Sequence, residues 1–166
     1  MPILVLDASI LIDLSEGDLI DTIFRLDDNI IISHLQVEET KDVTGINYEV
    51  LVKLGLKIIE HDGEEVKEVI QLATRFGERH INDLFAYNTA KRRRGILLTG
   101  DSGLRKIAVE NGVDCHGLLW LIELLVKRDI LTYDMGCKSL KAIERAGSFL
   151  PKTQVDSLLK KWCTNS

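Results

Sequence analysis

Branched apolar residues gather in short runs at Ile3–Leu6, Ile30–Ile32, Leu56–Ile59, Ile96–Thr99 and Val113–Cys115, and the stretches between them carry helical periodicity. Runs that are apolar at consecutive positions, rather than alternating, mark strands covered on both faces. Strands alternating with helices build βαβ units, whose crossovers lay helices on both sides of a parallel sheet. The pattern therefore predicts a three-layer α/β/α fold around a central, mostly parallel sheet of about five strands. Local signals refine it. Ser33 with Gln36 has the form of a capping box opening a helix through Glu39. Gly95 follows Lys91-Arg92-Arg93-Arg94 as a C-terminal glycine after a cationic last turn, and Gly112 closes Leu104–Asn111 in the same way. Gly63 to Phe76 sets Val66, Val69, Ile70 and Ala73 on one stripe. Beyond Leu118 the pattern is helical throughout, and after Pro151 the residues Val155, Leu158, Leu159 and Trp162 form a stripe suited to core packing or to a dimer interface.

No Pro/Gly/Ser linker divides the 166 residues, so residues 1–166 are expected to form a single domain, with 129–166 a helical C-terminal extension of it. The longest apolar stretch, Leu118 to Val126, is interrupted by Glu123 and is far shorter than the roughly 20 residues that span a bilayer. The opening Met1-Pro2-Ile3-Leu4-Val5-Leu6-Asp7 lacks a basic region and meets an acid early, unlike a signal peptide. A soluble, cytoplasmic protein without membrane attachment is the expectation. Cys115, Cys137 and Cys163 are scattered and lack metal-ligand spacing, which predicts reduced, partly buried thiols rather than a disulfide framework. A formal net charge of −5 offers no broad basic face for nucleic acid, although carboxylates grouped around a cation would inflate that count.

The acids are where chemistry concentrates. Asp7 and Asp101 directly follow apolar runs, and in open α/β sheets the functional crevice lies beyond the carboxyl ends of the strands. Each also suits a helix N-cap. Asp83, in Ile81-Asn82-Asp83-Leu84, shares a stripe with Tyr87 and Ala90 and so points inward, where an unpartnered carboxylate is costly. Glu39 and its neighbour Glu38 both lie about one turn from Leu35, and spacing does not choose between them. Two carboxylates ~4 Å apart repel by about 4 kcal/mol at an effective dielectric near 20. A hard cation with oxygen ligands, Mg²⁺ or Mn²⁺, relieves such repulsion. His34, His61, His80 and His116 are isolated in sequence and read as surface or satisfied polar groups, with no zinc spacing and no Ser/His/Asp or Cys/His arrangement.

Leu6-Asp7-Ala8-Ser9, Ser33 followed six positions later by Glu39, Asn82-Asp83-Leu84-Phe85-Ala86, and Leu98-Thr99-Gly100-Asp101 with Leu104-Arg105 resemble, in order and spacing, the PIN-domain ribonucleases. The resemblance is good over residues 1–39 and 81–126, and weak over 40–80. It implies a PIN-like fold and a Mg²⁺- or Mn²⁺-dependent endoribonuclease that hydrolyses RNA phosphodiester bonds with a metal-activated water. Asp7, Glu39, Asp83 and Asp101 would then be the catalytic and metal-holding residues, with Ser9 and Thr99 in support. Many similar proteins are homodimeric toxins of the VapC type, restrained by an antitoxin protein; the extra C-terminal helices set this chain apart from compact toxins. Arg105 and Lys106, just beyond Asp101, are the candidates for RNA phosphate contact, because Lys91-Arg92-Arg93-Arg94 is already explained by the helix dipole.

Rival readings are a catalytically inactive PIN-like module that binds RNA or protein, and a metal-dependent phosphatase. A nucleophilic-Asp phosphatase would want a second Asp two positions after Asp7, where Ser9 stands. A receiver domain would want an acidic pair at the first strand end, which Asp7 lacks.

Overall fold

In the computed structural model, which describes residues 2–43, 45–77 and 80–163, five strands form one sheet in the order β3-β2-β1-β4-β5, every pairing parallel. The strands are β1 (Ile3–Leu6), β2 (Asn29–Ser33), β3 (Lys57–Ile59), β4 (Ile96–Leu98) and β5 (Cys115–His116). The helices are α1 (Ala8–Glu16), α2 (His34–Thr40), α3 (Tyr48–Leu54), α4 (Gly63–Phe76), α5 (Ile81–Arg93), α6 (Ser102–Glu110), α7 (Leu118–Lys127), α8 (Tyr133–Arg145) and α9 (Lys152–Cys163). Strand ends shift from expectation by a residue or two, because ladder pairing with neighbours, not residue type, decides where a strand stops.

Side-chain alternation divides the sheet into two cores. Leu4, Leu6, Ile30, Ile32 and Leu98 face a cluster that includes Ile10, Leu14, Ile122, Leu140 and Trp162 from α1, α7, α8 and α9. Val5, Ile31 and Leu97 face the other way, onto Val69, Leu84, Tyr87 and Leu104 from α4, α5 and α6. Successive strand residues are thus buried on opposite faces, which is why the strand runs are uniformly apolar. The stripe of α9 packs into the first cluster: Val155, Leu158 and Trp162 are buried.

The chain leaves β1 for β2 and β3 on one side and returns to β4 on the other, so the strand order reverses between β1 and β4. Ligand crevices of open α/β sheets open at this switch point. Asp7 follows β1 and Asp101 follows β4.

Several local expectations are corrected. On α4 it is Val69 and Leu72 that are buried, while Val66 and Ile70 face solvent. The left-handed position that ends α5 is Arg94, at φ +53°. Gly95 is required for another reason: a Cβ there would meet the Ile3 carbonyl oxygen at 2.8 Å, where the chain enters the sheet beside β1. Gly112, at φ +73°, does close α6 as expected. Cys137 and Cys163 are not free thiols: α8 and α9 pack side by side, bring their Cα atoms to 5.5 Å and join them in a disulfide. Cys115 alone is free, and it is buried. Among the described residues no helix is long and apolar enough to cross a membrane.

Candidate active site

Asp7 is both a cap and a buried acid. It is only 6 % exposed. Its Oδ1 accepts the Ser9 backbone N–H at 3.4 Å, capping α1, and its Oδ2 accepts the Thr99 hydroxyl at 2.6 Å. Thr99, fully buried, takes the Asp101 N–H on the same hydroxyl oxygen at 3.1 Å. One hydroxyl therefore ties the carboxylate after β1 to the turn after β4. Asp101 in turn caps α6, its Oδ1 accepting the Leu104 N–H at 3.0 Å. Ser9 adds a second tie: its hydroxyl oxygen accepts the Gly100 N–H at 3.3 Å.

Asp83 stands in the first turn of α5, partly buried. Its carboxyl is pushed up from 3.8 to about 6, first by burial and next by the Asp7 charge; Asp101 and Glu39 raise it further, while His80 opposes them. The four sequence-predicted acids are therefore electrical neighbours. The structure also separates Glu39 from Glu38. Glu39 is ion-paired with His80 at 3.0 Å and acts on Asp83, whereas Glu38 lies in solvent paired with Lys41 at 2.9 Å. Glu39 is more exposed than its helical position implied, although Gln36 on the same helix is completely buried.

Gln36, taken above as half of a capping box, has a different role. Ser33 does cap α2, accepting the Leu35 N–H. The Gln36 side chain does not turn back to Ser33. Fully buried, it accepts the Ala8 N–H at 2.5 Å and donates to the Asn82 carbonyl at 3.2 Å. It thereby links the residue after Asp7 to the residue before Asp83, from the helix that carries Glu39. A glutamine on the inner face of an acidic helix was the available signal.

His61 is not isolated either. It lies between the Ser33 hydroxyl and the Glu65 carboxylate, 2.6 Å from each, with its side chain 2 % exposed. A Ser–His–Glu relay thus exists where none was expected. Ser33 is completely buried and already caps α2, so its hydroxyl is a structural acceptor rather than a nucleophile. The Cys115 thiol is likewise silent, pushed up to about 11 by burial.

Arg105 does not extend towards solvent. Its Nη2 donates to the Thr99 carbonyl at 3.0 Å and its Nε is buried, so it braces the turn from beneath. Lys106 is exposed.

Among the described residues no three His, Cys, Asp or Glu side chains converge closely enough to hold a metal by themselves. The donor set nevertheless fits a hard cation: carboxylates and hydroxyls, with the Asp83 carboxyl pushed up by burial and by its acidic neighbours. Mg²⁺ commonly binds through one or two carboxylates and keeps several waters, which needs no closed protein cage.

A parallel α/β/α sandwich with acids gathered at its switch point has the nuclease-type architecture of PIN domains. A family model described as DUF3368, PIN domain, matches residues 3–164, and the chain belongs to that PIN-domain family. No curated protein matches it. PIN domains are generally nucleases, and PIN nucleases generally use divalent metals.

Proposed function

We propose that the protein is a metal-dependent endoribonuclease acting at the mouth of the β1/β4 crevice. The observation that supports the reading is geometric: the Thr99 hydroxyl ties the Asp7 carboxylate to the Asp101 turn, and the Asp83 carboxyl is pushed up to about 6, first by burial and then by the Asp7 charge, with smaller contributions from Asp101 and Glu39. Structural caps explain the placement of Asp7 and Asp101, but among the described residues no cap or salt bridge explains Asp83.

Asp7, Asp83 and Asp101 would hold a Mg²⁺ or Mn²⁺ ion, one or two of them directly and the rest through water, with Glu39 beside them; the ion would supply polarisation of the phosphodiester and activation of a water. The protein's own part is positional. Thr99 and the Ser9 amide hold both oxygens of Asp7, so that carboxylate is aimed before any ligand arrives. Asp83 is largely ionised at neutral pH and becomes protonated below about 6; its hold on a cation weakens as the proton competes. Gln36 keeps α1, α2 and α5 in register around the acids. Lys106, solvent-exposed beyond Asp101, is the nearer candidate for phosphate contact.

The same reading supplies a cytoplasmic RNA substrate. By the resemblance to toxin-like nucleases, it also supplies an antitoxin protein and a second copy of the chain as partners, with a toxin role in a toxin–antitoxin pair. A short open reading frame directly upstream would support that role. The chemistry is tested by Asp7→Asn and Asp101→Asn, which should each abolish Mn²⁺-stimulated RNA cleavage while circular dichroism stays native. Cleavage at the wild-type rate in both variants would sink the proposal. Mn²⁺ binding by calorimetry without any cleavage would instead favour an inactive binding module.

A further inference from the structure

Beside the acid cluster, on the β5 side of the same sheet edge, lies a cleft of about 190 Å³. Gly100 and Arg105 contribute to its wall; Gly100 lies in the turn that carries Asp101, and Arg105, on α6, donates to the Thr99 carbonyl of that turn. His116 and Trp120 also line it, their rings parallel within 7° and 4.2 Å apart. The third wall is the segment before α9, with Phe149 and Gln154.

Phe149 is wholly exposed. The neighbouring Ser148 donates its hydroxyl to Asp13 at 2.5 Å, which anchors the segment and leaves the phenyl ring in water. The cleft thus combines a flat aromatic stack, a second unsheltered ring, an arginine and an amide. Its volume is below the roughly 300–1,000 Å³ of sites that enclose drug-sized molecules, a size for one planar heterocycle. A stable dimer needs on the order of 800 Å² per partner, far more than one phenyl ring and a small cleft present. The charges around the cleft are of both signs: Arg105 on one side, Asp13 bound to Ser148, and Asp114 paired with His116 at 3.0 Å. With Arg105 committed to the Thr99 carbonyl and two carboxylates nearby, the cleft offers base stacking rather than phosphate binding. Stacking platforms of this kind bind unpaired bases without strong sequence preference.

We infer that this cleft is a subsite for an unpaired nucleobase of the RNA strand, flanking the phosphodiester presented to Asp7, Asp83 and Asp101. The inference rests on the nuclease reading for its direction along the strand. A duplex hides its base faces and would not enter.

The test is binding under chelation, where no cleavage occurs. Trp120 fluorescence is titrated with a single-stranded octaribonucleotide, with the same strand made abasic, and with the duplex; Trp162 is buried and serves as internal background. The base-bearing strand should quench and bind, and Phe149→Ala should weaken it about tenfold, within the range seen for alanine in place of a stacking aromatic. Equal affinity for the abasic strand, or an unchanged affinity in Phe149→Ala, overturns the subsite. A change of molecular mass in Phe149→Ala without a change in RNA affinity also overturns it, and assigns the ring to a protein contact. Base-dependent binding by a protein that cleaves no RNA with Mn²⁺ leaves the subsite standing and removes the nuclease. Normal cleavage with an unaltered KM in Phe149→Ala does the reverse.

Discussion

Replacing Asp83 by Asn should make the protein more stable and inactive at once. The carboxyl of Asp83 is raised from 3.8 to about 6 by burial and by the Asp7, Asp101 and Glu39 charges. A group whose folded value lies above its unfolded value binds protons more tightly in the native state. Stability is then fully present below 3.8 and is lost as pH rises through 6. At ~1.36 kcal/mol per pH unit the full rise corresponds to about 3 kcal/mol. Asp83 is partly exposed, and solvent screening reduces the loss at neutral pH to roughly 1–2 kcal/mol. Asparagine keeps the shape and carries no charge. Urea denaturation at pH 7.5 in chelator should therefore show Asp83→Asn more stable by about that amount. The advantage should shrink at pH 5 and vanish near pH 3.8. Added Mn²⁺ should raise the wild-type midpoint and leave the variant's nearly unmoved, since only a native state that binds the ion is stabilised. A variant no more stable than wild type at pH 7.5 would refute the idea that the acids are coupled.

Thr99→Val removes the hydroxyl shared by Asp7 and Asp101 while keeping its volume; losing a hydrogen bond to a buried carboxylate and one to a backbone amide should lower urea stability by roughly 2–4 kcal/mol, and a loss under 1 kcal/mol would mean that water replaces the hydroxyl. Gln36→Leu orphans the Ala8 amide and the Asn82 carbonyl, so stability should fall by about 2–4 kcal/mol and Mn²⁺-stimulated cleavage should drop further than that loss of fold explains; native activity in the folded fraction would remove Gln36 from the site. The Cys137–Cys163 bridge spans 26 residues, for which chain-entropy reasoning gives about 3–4 kcal/mol. Reductant or Cys137→Ser should lower the thermal midpoint, and a midpoint insensitive to both would show that α9 is held by Val155, Leu158 and Trp162 alone.

The electrostatic conflict at Asp83 also explains why the site does not simply collapse. Thr99, Ser9 and Gln36 supply hydrogen bonds that hold the acidic elements against their mutual repulsion, at the cost of burying polar groups that must all be satisfied. Such a site is stable only as a network, which is why single conservative replacements around it are expected to cost more than surface changes do.

The layered parallel fold and the strand-end placement of Asp7 and Asp101 were legible in the amino-acid order, because both are local. A run such as Val5-Leu6-Asp7 carries its strand, its buried faces and its terminal acid within a few residues, and Asp101 follows its own strand likewise. What the chain order left open depended on partners far away in sequence. Gln36 finds Ala8 across 28 residues and Thr99 finds Asp7 across 92. The choice of Glu39 over Glu38, the inward turn of Arg105, the enclosure of His61 by Ser33 and Glu65, and the pairing of Cys137 with Cys163 all follow from packing. Periodicity tells which face of an element is buried. Which polar group meets which on that face is decided only when the elements are brought together, since each buried donor or acceptor takes the partner that the neighbouring element places within reach.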